Sequence, residues 1–342
     1  MGLGPVVETQ NFSTFKEFWD AVSPLGEFGK KMKGFIYRGE SSKNWKLLPK
    51  ILRCQQDDKG EPERIYREIK SISEFFLEAN YQGLKVPNNK MIHCSPDEIM
   101  GTDLYWISDE FEETAALAQH YGLPTRLLDW TKDIFVAFYF ASTGVMEKEK
   151  DNTEPSLVIY ALNYGFLKEE IKKWEHAKTS YGREPFPIKF LIPHYSDNPN
   201  IMAQSGILSY SEVRIVRYST NTWKLDYTPL DEKLQELIDD KDHYYHISEP
   251  ETLLYKFIIP PSEASAMFDF ISRFNYSYSR IFPGYNGIMK TLKEKITYKE
   301  LIQYDRHMFL TDTLCPLCRA GFTGRALSQR LHLTQHIPQG GP

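Results

Sequence analysis

The densest chemistry in the 342-residue chain sits in residues 119–131, QHYGLPTRLLDWT. Gly122 suits the residue just past a helix end, and Pro124 disfavours helix at Leu123. Arg126 and Asp129 then stand in an otherwise apolar stretch. A charge in apolar surroundings must be paired or used. The plain structural reading is an Arg126–Asp129 ion pair under a loop. A second cluster closes the chain: Cys315, Cys318, His332 and His336 form C-x2-C-x13-H-x3-H. Two thiolates on a tight turn and two imidazoles one helical turn apart suit tetrahedral zinc. A third is the acidic run Asp103, Asp109, Glu110, Glu112 and Glu113, read either as nuclease metal ligands or as compensation of a helix dipole. His120 follows Glu113 by seven residues, on the same helical face.

Composition narrows what these clusters can be. With 41 Lys and Arg against 46 Asp and Glu the net charge is −5, so nucleic-acid binding requires a local basic patch. The 14% aromatic content argues against a disordered chain. Four cysteines in 342 residues are too few for a disulfide scaffold. MGLGPVVETQ lacks the basic and long apolar regions of a secretory signal, and no apolar run approaches a membrane span. A cytoplasmic protein without a membrane partner is expected.

The elements that must position these residues follow from periodicity. Residues 13–22 read as a helix capped by Ser13, and residues 34–38, GFIYR, as a strand. Ile65, Ile69, Ile72 and Phe76 mark a helix over 61–80; Phe111, Ala115 and Ala118 mark another over 108–121. Residues 134–141 are eight apolar residues that periodicity alone leaves as helix or strand; Thr131 as cap and Asp133 in the first turn favour helix. Strands are expected at 156–162 and before Pro260, a strand or hairpin at 207–216, and helices from Ser262 to about Phe274 and over 286–296. Interleaved elements without βαβ repeats imply an α+β fold.

YRGE at 37–40, QHYGLPTRLLDWT at 119–131, AFYFA at 137–141 and NPNIMAQSG at 198–206 together resemble the FRG domain, a family named for its Phe/Tyr-Arg-Gly motif. IPPSE at 259–263 and IFPGYNG at 281–287 resemble its usual end, so the likeness runs over residues 20–300, with 301–342 a zinc-finger-like tail. The resemblance implies a bacterial protein of defence or toxin–antitoxin settings, with an antitoxin or other defence protein as a partner. Tyr37, Arg38 and Gly39 further resemble the first strand of arginine–serine–glutamate ADP-ribosyltransferases, whose arginine contacts the phosphates of NAD.

That likeness implies an ADP-ribosyltransferase-like, mixed or antiparallel sheet with packed helices. It makes Arg38, Thr131 and Glu212 catalytic candidates, with Gln204 as the rival to Glu212. Trp130 would stack on a nicotinamide or adenine ring and Thr131 would donate one hydrogen bond. Tyr37, Arg38, Gly39, His120, Tyr121, Thr125, Arg126, Asp129 and Trp130 form the expected NAD-binding set. Two departures stand against Glu212: the residue two before it is Tyr210, and alternating SEVRI also describes a half-exposed strand. The expected function is transfer of ADP-ribose from NAD to RNA or DNA. The alternatives are a non-catalytic module that binds nucleic acid through arginines set near aromatic rings, such as Arg38 with Trp45 and Arg126 with Trp130, and a metal-dependent nuclease.

Overall fold

The computed structural model describes residues 6–53, 61–87, 107, 109–147, 154–181, 186–211, 227–239 and 252–307. In chain order the elements are β1 (Val7–Asn11), α1 (Phe15–Val22), β2 (Ile36–Glu40), α2 (Lys50–Arg53), α3 (Glu61–Tyr81), α4 (Glu112–His120), β3 (Leu128–Thr131), α5 (Ile134–Glu147) and β4 (Leu157–Leu162). There follow α6 (Tyr164–Tyr181), β5 (Ile188–Leu191), α7 (Pro199–Ala203), β6 (Gly206–Ser211), α8 (Leu230–Asp239), β7 (Leu254–Ile259), α9 (Ala264–Arg273), α10 (Tyr278–Ile281) and α11 (Tyr285–His307). The chain divides into two units, Met1–Thr291 and Leu292–Pro342. The sheet and α1 to α10 lie in the first; the described part of the second is the continuation of α11 to His307. Among the described residues no helix is long and apolar enough to cross a membrane.

The fold is α+β, as expected, and its core is one seven-stranded sheet in the order β1-β7-β4-β2-β3-β6-β5. Neighbours are antiparallel except β1, which runs parallel to β7. β2 pairs with β4 from Ile36↔Leu162 to Glu40↔Val158. β3 pairs with β6 from Leu128↔Ser209 to Thr131↔Gly206. Between them β2 and β3 meet at one position, Tyr37↔Thr131. The sheet is therefore joined at its centre by a single paired position.

Alternation along the strands sorts the core into layers. Ile36, Leu128, Trp130, Val158, Tyr160 and Ile207 face one side, where Leu167 and Trp174 of α6 and Leu234 and Leu237 of α8 complete a continuous cluster. On the other side the core is divided. Phe15, Phe18, Phe138, Phe257, Met267 and Ile271 bind α1, α5 and α9 to the β2–β4–β7 half. Ile69, Ile72, Phe76, Phe111, Ala115, Leu208 and Tyr210 bind α3 and α4 to the β3–β6–β5 half. The helical stripes read from spacing, Ile69/Ile72/Phe76 and Phe111/Ala115/Ala118, are the buried ones.

Several boundaries differ from expectation. Thr14, not Ser13, caps α1: its backbone is extended and its hydroxyl accepts from the Glu17 N–H at 3.1 Å. Residues 134–147 are helical, but the cap is Asp133, whose carboxylate accepts from the Phe135 N–H at 3.0 Å; Thr131 is the last residue of β3. Ser262 lies in a 3₁₀ turn before α9, and Glu263 reaches across to accept from the Phe15 N–H at 2.8 Å. The strand expected over 207–216 is described as far as Ser211. α11 runs past the expected end at 296, to His307.

Gly39 is required by the approach of α5 to β2. A Cβ there would lie 1.9 Å from the Ala137 carbonyl oxygen. Gly39→Ala must therefore push α5 off the sheet, and overpacking of this kind costs about 1–3 kcal/mol or more. A urea titration followed by circular dichroism should show an earlier midpoint with an unchanged slope.

Candidate functional site

Where the divided core parts, a cleft of about 560 Å³ opens over the β2–β3 joint. That volume lies within the usual range of small-molecule sites. Its walls include Tyr37, Arg38 and Gly39 of β2, Asp129, Trp130 and Thr131 of β3, His120 of α4, Thr125, and Gln204 after α7. Nine of the residues singled out from sequence thus converge on one cavity, although the chain separates them by up to 167 positions (204 minus 37).

Arg38 spans the gap between the sheet halves. Its Nε donates to Glu40 Oε1 at 2.8 Å, and Nη1 donates to the Asp129 carbonyl oxygen at 2.8 Å. Nη2 lies 2.7 Å from Glu40 Oε1, and Nη1 lies 3.8 Å from Asp129 Oδ2. A side chain thus takes a carbonyl of β3 that faces the gap, where a zipped ladder would use a backbone N–H. Burial works against the guanidinium charge, but Glu40 and Asp129 outweigh it and raise its pKa. Arg53 also reaches Glu40, at 3.2 Å, and its guanidinium carbon lies 5.3 Å from the centre of the Trp45 ring.

β3 carries Asp129 and Thr131 on the cleft side. The Thr131 hydroxyl donates to the Gln204 carbonyl at 2.6 Å and accepts from the Asp133 N–H at 2.9 Å. The Gln204 amide donates to the Ile281 carbonyl at 3.3 Å. The Gln119 amide donates to Asp129 Oδ1 at 2.7 Å, and the Thr125 hydroxyl donates to Gln119 Oε1. Burial raises the Tyr37 pKa. His120 packs near Phe282, with ring centres 5.9 Å apart, and its Nε2 is buried without a hydrogen-bond partner among the described residues. Burial lowers the His120 pKa; the Asp129 charge opposes this and does not overcome it.

Four expectations need correction or relocation. Arg126 does not pair with Asp129: it is buried against Glu68 of α3, with Nε to Oε2 at 2.8 Å and Nη2 to Oε2 at 2.7 Å. It lies outside the cleft lining, held there by a carboxylate 58 positions away. Trp130 does not offer a ring for stacking, because the ring is in the core of the opposite face and its N–H donates to Ser209 Oγ at 2.8 Å. It is the floor of the cleft, and ring contact falls instead to Tyr37, Phe140 and Phe282. Tyr121 is 65% exposed, stacks near Phe75 and is not in the lining. Of the acidic run, Asp109 and Glu112 pair with Lys189 at 2.6 and 2.9 Å, Glu112 also accepts from the Tyr210 hydroxyl, and Glu113 accepts from the His194 N–H. Among the described residues no group of three His, Cys, Asp or Glu is placed to hold a metal. Asp103, Glu212 and the zinc candidates Cys315, Cys318, His332 and His336 lie outside the described residues.

Gln119, Lys50, Arg53, Glu147 and Phe282 also line the cleft and were not singled out as site residues from sequence; Trp45, read there as a partner of Arg38, lines it too. One signal was readable: residues 42–53 hold Lys43, Lys46, Lys50 and Arg53 with no carboxylate.

Residues 33–151 match the model of the FRG domain family. The matched stretch takes in β2, β3, α4 and α5, which supply most of the cleft. No curated protein and no solved structure matches the chain.

The lowered His120 pKa has a sign that can be measured. Below about pH 6.5 the unfolded chain takes up the proton before the folded one, so stability is lost as pH falls through that value toward the folded pKa. Between pH 7.5 and 5, the wild type should lose more stability than His120→Asn, measured by denaturant midpoints at each pH. Equal slopes would remove His120 as a buried neutral imidazole.

Proposed function

We propose that the cleft binds NAD and that the protein transfers ADP-ribose from it to a nucleic acid. The observation that carries this reading is the split at the β2–β3 joint, which puts Arg38, Thr131, Gln204 and an exposed carboxylate around one cavity. Arg38, Lys50 and Arg53 all stand in the lining, and although Glu40 binds both arginines the three cations outnumber it, which suits the pyrophosphate. Tyr37, Phe140 and Phe282 supply apolar ring surface for a base or nicotinamide. In the reaction the C1′–nitrogen bond of the nicotinamide ribose breaks, its electron pair leaves with nicotinamide, and an acceptor oxygen or nitrogen bonds to C1′.

A nucleic-acid acceptor fits the basic stretch 42–53, of which Lys50 and Arg53 line the cleft while Lys43 pairs with Glu154 and Lys46 with Glu232. Lys43, Lys46, Lys50 and Arg53 flank Trp45, and arginine forks beside aromatic rings suit single strands. In a cell this activity is that of a toxin-type or defence effector, the setting the FRG resemblance implies, with an antitoxin or defence protein as partner. A second reading, binding without turnover, is favoured by the engagement of Arg38 with Glu40 and β3.

The test uses NAD labelled in the adenosine phosphate with RNA, DNA and protein acceptors. Label is expected on a nucleic acid, with nicotinamide released in equal amount. Salt-sensitive retention of nucleic acid without release of nicotinamide supports the second reading. Absence of both NAD cleavage and NAD binding sinks the transferase reading.

The tail belongs to the same proposal. Cys315, Cys318, His332 and His336 form a donor set that fills four-coordinate zinc, leaving a structural and not a catalytic ion. Elemental analysis should find about one zinc per chain, lost in Cys315→Ser.

A further inference from the structure

Three carboxylates line the cleft, and their surroundings differ. Glu40 is 7% exposed at its side chain and is occupied by both Arg38 and Arg53. Glu147 pairs with Lys290 at 3.4 Å. Asp129 is 62% exposed at its side chain, yet it is not free to turn. The Gln119 amide holds its Oδ1 at 2.7 Å. Gln119 is itself oriented: the Thr125 hydroxyl accepts from the Leu127 N–H at 3.2 Å and donates its own proton to Gln119 Oε1. With its oxygen committed to Thr125, the Gln119 amide can present only N–H to the carboxylate. The second oxygen, Oδ2, lies 3.8 Å from Arg38 Nη1, and the residue is part of the cleft lining.

We propose that Asp129 is the catalytic carboxylate of the cleft and that Gln119 is its positioning residue. The assignment rests on the NAD reading above. Solvent-exposed carboxylates rotate freely unless anchored, and ordering one costs side-chain entropy. A two-step relay, Thr125 to Gln119 to Asp129, supplies that order through Oδ1 and leaves Oδ2 to the charge of Arg38 at 3.8 Å. As the C1′–nitrogen bond breaks, positive charge develops on the ribose and Asp129 Oδ2 faces it. The acceptor O–H or N–H then bonds to C1′, its proton passes to Oδ2, and Asp129 returns that proton to water. Glycosidic chemistry elsewhere uses carboxylates in both ways, as charge stabiliser and as base.

The experiment compares NAD binding and steady-state turnover in the wild type, Asp129→Asn, Gln119→Ala and Gln119→Glu, with melting temperatures recorded for each. Asp129→Asn should bind NAD within about threefold of wild type and lose about 100-fold or more in kcat. Gln119→Ala should lower kcat about tenfold with KM for NAD unchanged. Gln119→Glu puts a like charge against Asp129 and should move the acid limb of the pH–rate profile upward, a change that a merely structural Gln119 would not produce. Wild-type turnover in Asp129→Asn overturns the proposal. So does an unmoved pH profile in Gln119→Glu, or loss of turnover in Glu212→Gln with Asp129→Asn unaffected. If Asp129→Asn fails to fold, the two Gln119 variants decide. A wild type that neither binds nor cleaves NAD removes the NAD reading itself, and this assignment with it; turnover in the wild type with turnover kept in Asp129→Asn removes this assignment alone.

Discussion

The central constraint of this molecule is one guanidinium set across a break in a sheet. Strands β2 and β3 share a single rung, Tyr37↔Thr131, and beyond it their edges would present unpaired polar groups to the cleft. Arg38 fills that gap, binding Glu40 on its own strand and the Asp129 carbonyl on the next. The charge is affordable there because Glu40, nearly buried, needs a cation as much as Arg38 needs an anion. Removing Arg38 leaves Glu40 with Arg53 alone, and removing Glu40 leaves Arg38 with Asp129 alone. The cleft exists because the joint is stapled by a side chain and not zipped by backbone.

The layers around the joint follow from it. On one face the core is continuous under both halves of the sheet, so the halves stay together. On the other the apolar residues separate into two clusters, and α5 and α4 lean on different halves. Gly39 lets α5 press its backbone against β2, while the buried Glu68–Arg126 pair ties the loop after α4 to α3. That loop carries Thr125, whose hydroxyl orients Gln119 and through it Asp129. The structural ion pair and the exposed carboxylate are thus neighbours with different tasks. Arg126 is buried to hold the loop, and Asp129 is left open to face the cavity.

Much of this was readable from residue types. The strands β4 and β7 are rich in β-branched and aromatic side chains and are central, so their signal is strong. The stripes of α3 and α4 follow from spacing. Three strands were not readable. β1 is VETQN, a polar edge strand whose order comes from β7. β5 is four residues at the opposite edge. β3, LDWT, is equally short and lies in a stretch that reads as irregular; pairing with β6 makes it a strand. Local propensity is weak over four residues, and partner strands decide.

By itself the sequence determined which residue types stand in the central motif, that a glycine follows Arg38, that the chain is α+β, and that it resembles the FRG domain, whose family model matches 33–151. Only the tertiary structure decided which charge meets which. Arg126 found Glu68 and not Asp129, Trp130 turned into the core, and Arg38 closed the sheet. The reason is physical: an ion pair or hydrogen bond is chosen by distance and burial in space. Residues 58 or 91 positions apart are brought to contact by sheet order and helix packing, which no local spacing encodes.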